Sequence, residues 1–192
     1  MANLVTFLYI IVTCQTNSHQ VHLCYGIFIE TKTPRITTRG SHEKHNMNHK
    51  QTFNSYYPAS GNDELIQKLQ ACAEGNLSSS LYLSGPQKSG RTHLMHAACA
   101  HANELDRRSL YVPLGIHASI SPALFEGVEA LNLICIDDID AVAGHPVWEE
   151  ALFHLYNRIA EQQDCRLIVS ASASPIEACF ALPDLMSFLI PA

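Results

Sequence analysis

A glycine-rich segment, residues 85–92 (GPQKSGRT), has residue types and spacing that could bind phosphate. It follows the apolar residues 81–83 and precedes a segment with helical periodicity. Small residues let successive backbone N–H groups turn towards one anion, and the N-terminus of the following helix adds partial positive charge. The segment differs by one residue from G-x-x-x-x-G-K-[ST], because Arg91 stands where that pattern has Lys. We therefore predict a phosphate-binding loop, the alternative being a connecting turn.

Arg91 and Thr92 are the residues that determine whether the loop supports nucleotide hydrolysis as well as nucleotide binding. Arg91 retains the charge of Lys, but its guanidinium is larger and planar, so its reach to the β- and γ-phosphates differs. Thr92 supplies a hydroxyl for Mg²⁺. This combination predicts tight nucleotide binding with slow or absent hydrolysis.

A pair of carboxylates, Asp137 and Asp138, follows a second apolar stretch at residues 131–136. Ligands of open α/β sheets collect at the carboxyl ends of the strands. We expect Asp137 to hold Mg²⁺ through water and Asp138 to act as the catalytic residue that polarises an attacking water. The alternative is a pair of solvated turn carboxylates.

The histidines are weaker candidates for functional residues than the glycine-rich loop and the two carboxylates. His42, His45 and His49 could face a metal, but they lie in a polar segment that we predict to be disordered. His93 and His96 lie one turn apart on the predicted helix after the loop, where surface or packing roles are the simplest interpretation.

Strands alternate with helices over the rest of the chain, which predicts an α/β fold with a parallel sheet covered on both faces. The predicted strands are 79–84, 109–114, 131–136 and 166–170. The predicted helices are 62–74 (capped by Asn62), 91–104 (with Leu105 facing inward), 121–129, 147–163 and 175–180.

Composition limits the class of protein. The chain has 192 residues, enough for one domain, and a net charge of −6, which argues against coating nucleic acid by charge alone. Seven cysteines without a C-x-x-C pair indicate reduced thiols in a cytoplasmic protein. The apolar run at residues 4–12 is too short to span a bilayer.

The chain divides near residue 50. We expect residues 1–50 to be a disordered or non-native extension and residues 51–192 to be the nucleotide-binding domain. Met47 is the start of translation that this division predicts.

Several segments together resemble the DnaA-like AAA+ family, and within it the regulatory inactivators of the Hda type. The resemblance covers about residues 51–187 and is carried by residues 52–58 (TFNSYYP), 90–100 (GRTHLMHAACA), 111–114 (YVPL), 136–139 (IDDI), 148–149 (WE), 155–159 (LYNRI) and 182–185 (LPDL). Arg in place of Lys at position 91 is itself a feature of the Hda side of the family.

The resemblance implies a three-layer P-loop fold of the AAA+ type with a parallel central sheet, binding ADP or ATP with Mg²⁺. Residues 53–62 would lie near the adenine. Carried over by position, Thr92 and Asp137 serve the metal, Asp138 is the catalytic residue, and the nucleotide is held by Gly85, Gly90, Arg91, Thr92 and His93.

The resemblance also implies a function. With the DNA-loaded sliding clamp, such a protein promotes hydrolysis of the ATP held by DnaA and so restrains re-initiation of replication, without sequence-specific DNA binding of its own. Gln20, Leu23 and Tyr25 have the spacing of a clamp-binding peptide, which also recurs by chance. A homo-oligomer is compatible with the pattern. The alternatives are an initiator-like or loader-like ATPase and a nucleotide-free interaction remnant.

Three departures bear on this expectation. Phe188 stands where the family places an arginine finger, and Ser172-Ala173 stands where it tends to have Asp-Arg. The helical lid with its nucleotide-sensing arginine is not recognisable. We therefore expect a domain truncated before its lid, with at most weak ATPase activity.

Overall fold

Four neighbouring strands of the sheet are parallel. The computed structural model describes residues 9–15, 20–25, 51–56, 63–77, 79–162 and 164–189. Within these ranges the strands are β1 (Tyr9–Gln15), β2 (Gln20–Tyr25), β3 (Ser80–Ser84), β4 (Ser109–Pro113), β5 (Leu133–Asp137) and β6 (Arg166–Ala171). The α-helices of the same ranges are α1 (Asp63–Ala73), α2 (Arg91–Glu104), α3 (Pro146–Glu161) and α4 (Pro183–Leu189).

The strand order is β2-β1-β3-β6-β5-β4. Strands β3, β6, β5 and β4 pair in parallel, whereas β1 pairs antiparallel with both β3 and β2. Since successive side chains of a strand point to opposite faces, each parallel strand contributes to two cores.

Two apolar cores lie on the two faces of the sheet. Leu81 and Leu83 of β3 pack with α1 and α2, while Tyr82 between them packs on the other side. That opposite core also contains Leu152 and Leu155 of α3. The predicted three-layer α/β fold with a parallel sheet is confirmed.

The positions of the helices follow from their apolar spacing. In α1, Leu65, Leu69 and Cys72 are buried, three or four residues apart. In α3, the four residues predicted to face inward are all buried, namely Leu152, Leu155, Tyr156 and Ile159. Leu105, also predicted to face inward, is 49% exposed because it lies after the last turn of α2.

Two predicted helices are wrong. The segment expected as a helix at 121–129 forms separate 3₁₀ turns, because Gly127 adopts a left-handed conformation at φ 76° between them. Ser121 does cap the first turn by accepting from the N–H of Ala123 at 3.3 Å. Residues 175–179 are turns, where Cys179 has φ 57°, and the sequence did not predict α4.

The expected disorder of residues 1–50 differs from the structure at β1 and β2. Their β-branched residues, such as Ile10, Ile11 and Val12, favour extended backbone, and β1 pairs along the edge of β3. His42, His45 and His49, together with Met47 and Asn62, lie outside the described residues. The division near residue 50 stays a prediction.

No helix within the described ranges is both long and apolar enough to cross a membrane.

Candidate functional site

The glycine-rich loop connects β3 to α2 at the carboxyl end of the parallel strands. The N–H of Gly85 donates to the carbonyl oxygen of Ala171, at the end of β6, at 3.2 Å. Two residues of the loop have left-handed backbone, Lys88 at φ 67° and Gly90 at φ 94°. This path brings the N-terminus of α2 to the carboxyl edge of the sheet.

The N-terminus of α2 leaves backbone donors available. Gly90 is its N-cap, and no side chain within the described ranges caps it. The N–H groups of Arg91, Thr92 and His93 have no intrahelical acceptor because they belong to the first turn. Free backbone donors and the helix dipole are the features with which helix N-termini bind anions.

Arg91 is the first residue of α2 and is only 7% exposed. Its Nη2 lies 3.2 Å from Oδ1 of Asp138. Within the described part of the chain, Nη1 of Arg91 and Oγ of Ser89 are buried and have no hydrogen-bond partner. A buried donor without a partner costs free energy, so these atoms fit a further anionic group at the loop, such as a phosphate.

Asp137 is buried at the end of β5 and is held by three hydroxyl groups. Its Oδ2 accepts from Oγ1 of Thr92 at 2.7 Å and from the phenol of Tyr111 at 2.9 Å. The hydroxyl of Ser170 donates to Oδ1. Burial, and then the charge of Asp137, raise the pKa of Tyr111, so its phenol remains a donor. The two predicted metal ligands, Thr92 and Asp137, are thus in contact.

This donor set fits Mg²⁺ shared with a phosphate. Mg²⁺ prefers oxygen ligands and usually combines one or two protein groups with water and substrate phosphates. Among the described residues, no group of three or more His, Cys, Asp or Glu could hold a metal by itself. The hydroxyl of Thr92 and the carboxylate of Asp137 would therefore supply the protein's share.

Asp138 follows in a left-handed conformation, with φ 54° and ψ 51°. Its N–H donates to Oγ of Ser170 at 3.2 Å, and its side chain is 44% exposed. Burial and the neighbouring Asp137 raise the pKa of Asp138, whereas Arg91 opposes that shift. The residue lies where the sequence predicts a catalytic carboxylate, but in this arrangement Oδ1 is engaged by Arg91.

Residues 51–56 lie against the loop and the first turn of α2. Nε2 of His93 lies 3.0 Å from the carbonyl oxygen of Thr52 and 3.4 Å from Oγ of Ser55. The Tyr56 ring lies 5.5 Å from the His93 ring, and its phenol donates to the carbonyl oxygen of Ser89 at 3.5 Å. His93 therefore holds the segment predicted to lie near the adenine, of which residues 57–62 are outside the described ranges.

His96 packs its ring 4.1 Å from that of Tyr111, and burial lowers its pKa. This agrees with the packing role considered for it. Cys135 is fully buried, and burial raises the pKa of its thiol.

The positions that depart from the family pattern have local partners. The N–H of Ser172 donates to Oδ2 of Asp140 at 3.0 Å, as does its hydroxyl. Phe188, in α4, stacks on Tyr156 with ring centroids 4.3 Å apart. Phe188 thus has a packing role on α3.

Sequence analysis missed Tyr111 and Ser170, which both bind Asp137. Ser170 is the last residue but one of the largely apolar strand β6, and Tyr111 is the middle residue of β4. The position of Ser170 could have been anticipated from parallel pairing, since it follows Val169, which lies opposite Ile136. The contact of Tyr111 depends on the length of its side chain and could not.

Gly90 provides a stability test of the loop. A Cβ atom at this residue would lie 2.8 Å from Cε2 of Tyr56, in addition to the strain of φ 94°. We expect Gly90→Ala to lower the free energy of unfolding, measured in urea, by more than the roughly 1–2 kcal/mol of left-handed strain alone.

Gly127→Ala is the matched control, because Gly127 has φ 76° and no neighbouring atom within 4 Å of the added Cβ. It isolates the cost of the backbone conformation. If both variants lowered the free energy of unfolding by the same amount, the predicted clash between the added Cβ of residue 90 and Tyr56 would be contradicted.

Comparison with known proteins places this geometry in context. Residues 47–184 match the family described as "Bacterial DnaA ATPAse domain". The AMPPCP-bound DnaA of Aquifex aeolicus is 20% identical with a TM-score of 0.65, and the match covers 73% of this chain and 48% of that one. Domain III of the Thermotoga maritima replication initiation protein DnaA is 18% identical with a TM-score of 0.61, and the match covers 74% and 64%.

A third structure, a DNA replication initiation factor, is 19% identical with a TM-score of 0.64, and the match covers 74% of this chain and 47% of that one. The chain therefore spans about half the length of two of these three proteins. At such identities the likeness establishes a shared fold.

Proposed function

Since the chain belongs to the bacterial DnaA ATPase-domain family and has its P-loop fold of the AAA+ type, we propose that it is a nucleotide-dependent regulator of DnaA. It would bind ADP or ATP with Mg²⁺ between the glycine-rich loop and Asp137. With the DNA-loaded sliding clamp, it would promote hydrolysis of the ATP held by DnaA and so inhibit re-initiation of replication.

Buried Arg91 is the observation that carries nucleotide binding. Its Nη1 is buried without a partner among the described residues, and Arg91 is itself the first residue of α2, whose N-terminus has no side-chain cap there. We therefore expect the guanidinium and the backbone donors to bind the same anion. Gly90, with φ 94°, allows the loop to follow this path. The AMPPCP-bound DnaA of Aquifex aeolicus, which shares the fold, supports an adenine nucleotide as the ligand.

Bound Mg²⁺ would offset part of the negative charge of the nucleotide phosphates. Thr92 would contribute its hydroxyl oxygen, and Asp137 would orient that hydroxyl through their 2.7 Å hydrogen bond. Arg91 would stabilise the phosphates at the first turn of α2. His93 would keep the segment beginning at Thr52 against the site.

The ion pair between Arg91 and Asp138 favours a regulator over an independent ATPase. A carboxylate that orients an attacking water must be able to accept from it, and Oδ1 of Asp138 is engaged by Arg91. This arrangement supports binding with slow turnover. An initiator-like ATPase remains the second candidate, because the other oxygen of Asp138 belongs to a side chain that is 44% exposed.

The partners rest on the resemblance to the Hda type. Arg at position 91 supports DnaA as the target. The residues with clamp-peptide spacing lie in β2, paired with β1, so the clamp would have to bind this strand at the sheet edge or displace it. Phe188 in the position of the arginine finger means that stimulation of DnaA would need another group.

Thermal unfolding of the full chain tests nucleotide binding. Mg²⁺-ADP at 100 times its dissociation constant should stabilise the fold by about 2.7 kcal/mol, a rise in Tm of about 5–10 °C. Arg91→Ala should abolish this rise. Arg108→Ala is the control, because Arg108 lies before β4, at the opposite end of the parallel strands. A cooperatively unfolding chain without any rise would support the nucleotide-free interaction remnant instead.

Phosphate release tests the regulatory role. Adding the chain and the DNA-loaded clamp to ATP-bound DnaA should accelerate release, and neither should suffice alone. Release by the chain in the absence of DnaA would favour the ATPase.

A further inference from the structure

A phenol is bonded to the carboxylate that we assign to the magnesium site. Tyr111 lies in β4 opposite Cys135, two residues before Asp137. Residues two apart on a strand share a face, so the long side chain of Tyr111 reaches along the sheet to Asp137. Its hydroxyl donates to Oδ2 at 2.9 Å.

The hydrogen bonds that Asp137 accepts determine which lone pairs of its two carboxylate oxygens are occupied. A carboxylate oxygen offers about two lone-pair positions. Oδ2 receives the hydroxyls of Thr92 and Tyr111, and Oδ1 receives that of Ser170. The positions of Oδ2 are therefore both used, and Oδ2 has no remaining position for direct coordination of a cation.

The same bonds orient Thr92. Because its hydroxyl proton points to Asp137, the lone pairs of its Oγ1 point elsewhere and remain available to a cation. If Oδ2 lacked its second donor, Asp137 could turn towards the metal and the hydroxyl of Thr92 could lose its acceptor. The bond from Tyr111 thus opposes rotation of the carboxylate.

Tyr111 is well held for this purpose. Its ring lies 4.1 Å from that of His96 on α2, with an angle of 33° between the planes. A side chain fixed by ring packing presents its hydroxyl in one place, as positioning of a metal ligand requires.

We propose that Tyr111 is a positioning residue for Mg²⁺: by saturating Oδ2 of Asp137, its hydroxyl keeps the lone pairs of Thr92 directed at the metal. This inference rests on the proposed nucleotide function. It identifies Tyr111 as the residue through which the affinity for nucleotide depends on Mg²⁺. Asp137 then acts on the metal through Thr92 and through water.

Tyr111→Phe tests this role, because it removes the hydroxyl and keeps the ring that packs on His96. The measurement is the dissociation constant of ADP for the full chain, with Mg²⁺ and with EDTA. We expect the ratio of these two constants, which measures metal coupling, to fall by about tenfold or more in the variant. The constant in EDTA should remain that of the wild type.

Tyr82→Phe is the matched control. The phenol of Tyr82 is buried on the neighbouring strand β3 and donates to the carbonyl oxygen of Ala173 at 3.0 Å, without contacting Asp137. This variant should lower Tm but leave metal coupling unchanged.

The outcomes separate the two proposals. A wild type that binds no ADP in either condition overturns the proposed function. A wild type with metal coupling that Tyr111→Phe preserves overturns the role of Tyr111 alone. Equal weakening of ADP binding with Mg²⁺ and with EDTA shows a purely structural role and also overturns the inference.

Discussion

Replacing Glu149 by alanine is expected to lower the free energy of unfolding by about 3–4 kcal/mol, one of the largest losses for any single side chain here. Glu149 is 1% exposed, near the start of α3. Its carboxylate accepts from the N–H groups of Gly144 at 2.6 Å, Ala181 at 3.0 Å and Leu182 at 2.6 Å. Alanine leaves three backbone donors without an acceptor.

Glu149 also joins segments that are far apart in the sequence. It connects the turn before α3 to residues 181–182, which lead into α4. Because α4 buries Leu185 and Leu189 against the same core, we expect α4 to detach first in the variant. Hydrogen exchange would show faster exchange in α4 than in α2.

Glu150→Ala is the control for this effect. The neighbouring Glu150 is 72% exposed and lies 3.8 Å from His154, a contact worth little at the surface. Its loss should change the free energy of unfolding by less than about 0.5 kcal/mol. Glu149→Gln, which keeps one acceptor, should fall between the two alanine variants in urea unfolding. Similar values for the two alanine variants would show that the three backbone bonds contribute nothing.

Replacing Arg91 by lysine is expected to increase ATP turnover by at least about tenfold while retaining nucleotide binding. Lysine keeps the positive charge near the phosphates. It lacks the planar guanidinium with which Arg91 can contact a phosphate and Asp138 at the same time. Nη2 of Arg91 lies 3.2 Å from Oδ1 of Asp138. Without that contact, Asp138 can accept a hydrogen bond from water at the carboxyl end of β5.

A double variant assigns this gain to the freed carboxylate. Adding Asp138→Asn to Arg91→Lys should return turnover to the wild-type level, measured as steady-state phosphate release by the full chain. A gain that survives Asp138→Asn would show that Arg91 restrains hydrolysis by another route. No gain in Arg91→Lys, with ADP binding intact, would remove the main structural argument against an independent ATPase.

Most of the helices and strands, and the segments of the candidate site, could be predicted from local patterns in the sequence. Apolar alternation and 3.6-residue periodicity are local properties, so the parallel strands and α1, α2 and α3 could be predicted within a few residues. The glycine-rich loop and the Asp137–Asp138 pair were also recognisable, because phosphate and metal sites need particular residues at fixed spacing. Prediction from the local sequence was wrong where the backbone conformation of one residue determined the secondary structure. Gly127, for example, divides a predicted helix into two turns.

Tertiary structure alone decided how the site residues are connected. The pairing of Arg91 with Asp138, the hydroxyl of Tyr111 on Asp137 and the three donors around Glu149 join residues on different strands, helices and loops. Such contacts depend on strand register and side-chain reach, which a single sequence does not specify. The glycine-rich loop and the carboxylate pair could therefore be recognised in the sequence, whereas only the folded chain shows that Arg91 engages Asp138 and that Tyr111 and Thr92 both donate to Asp137.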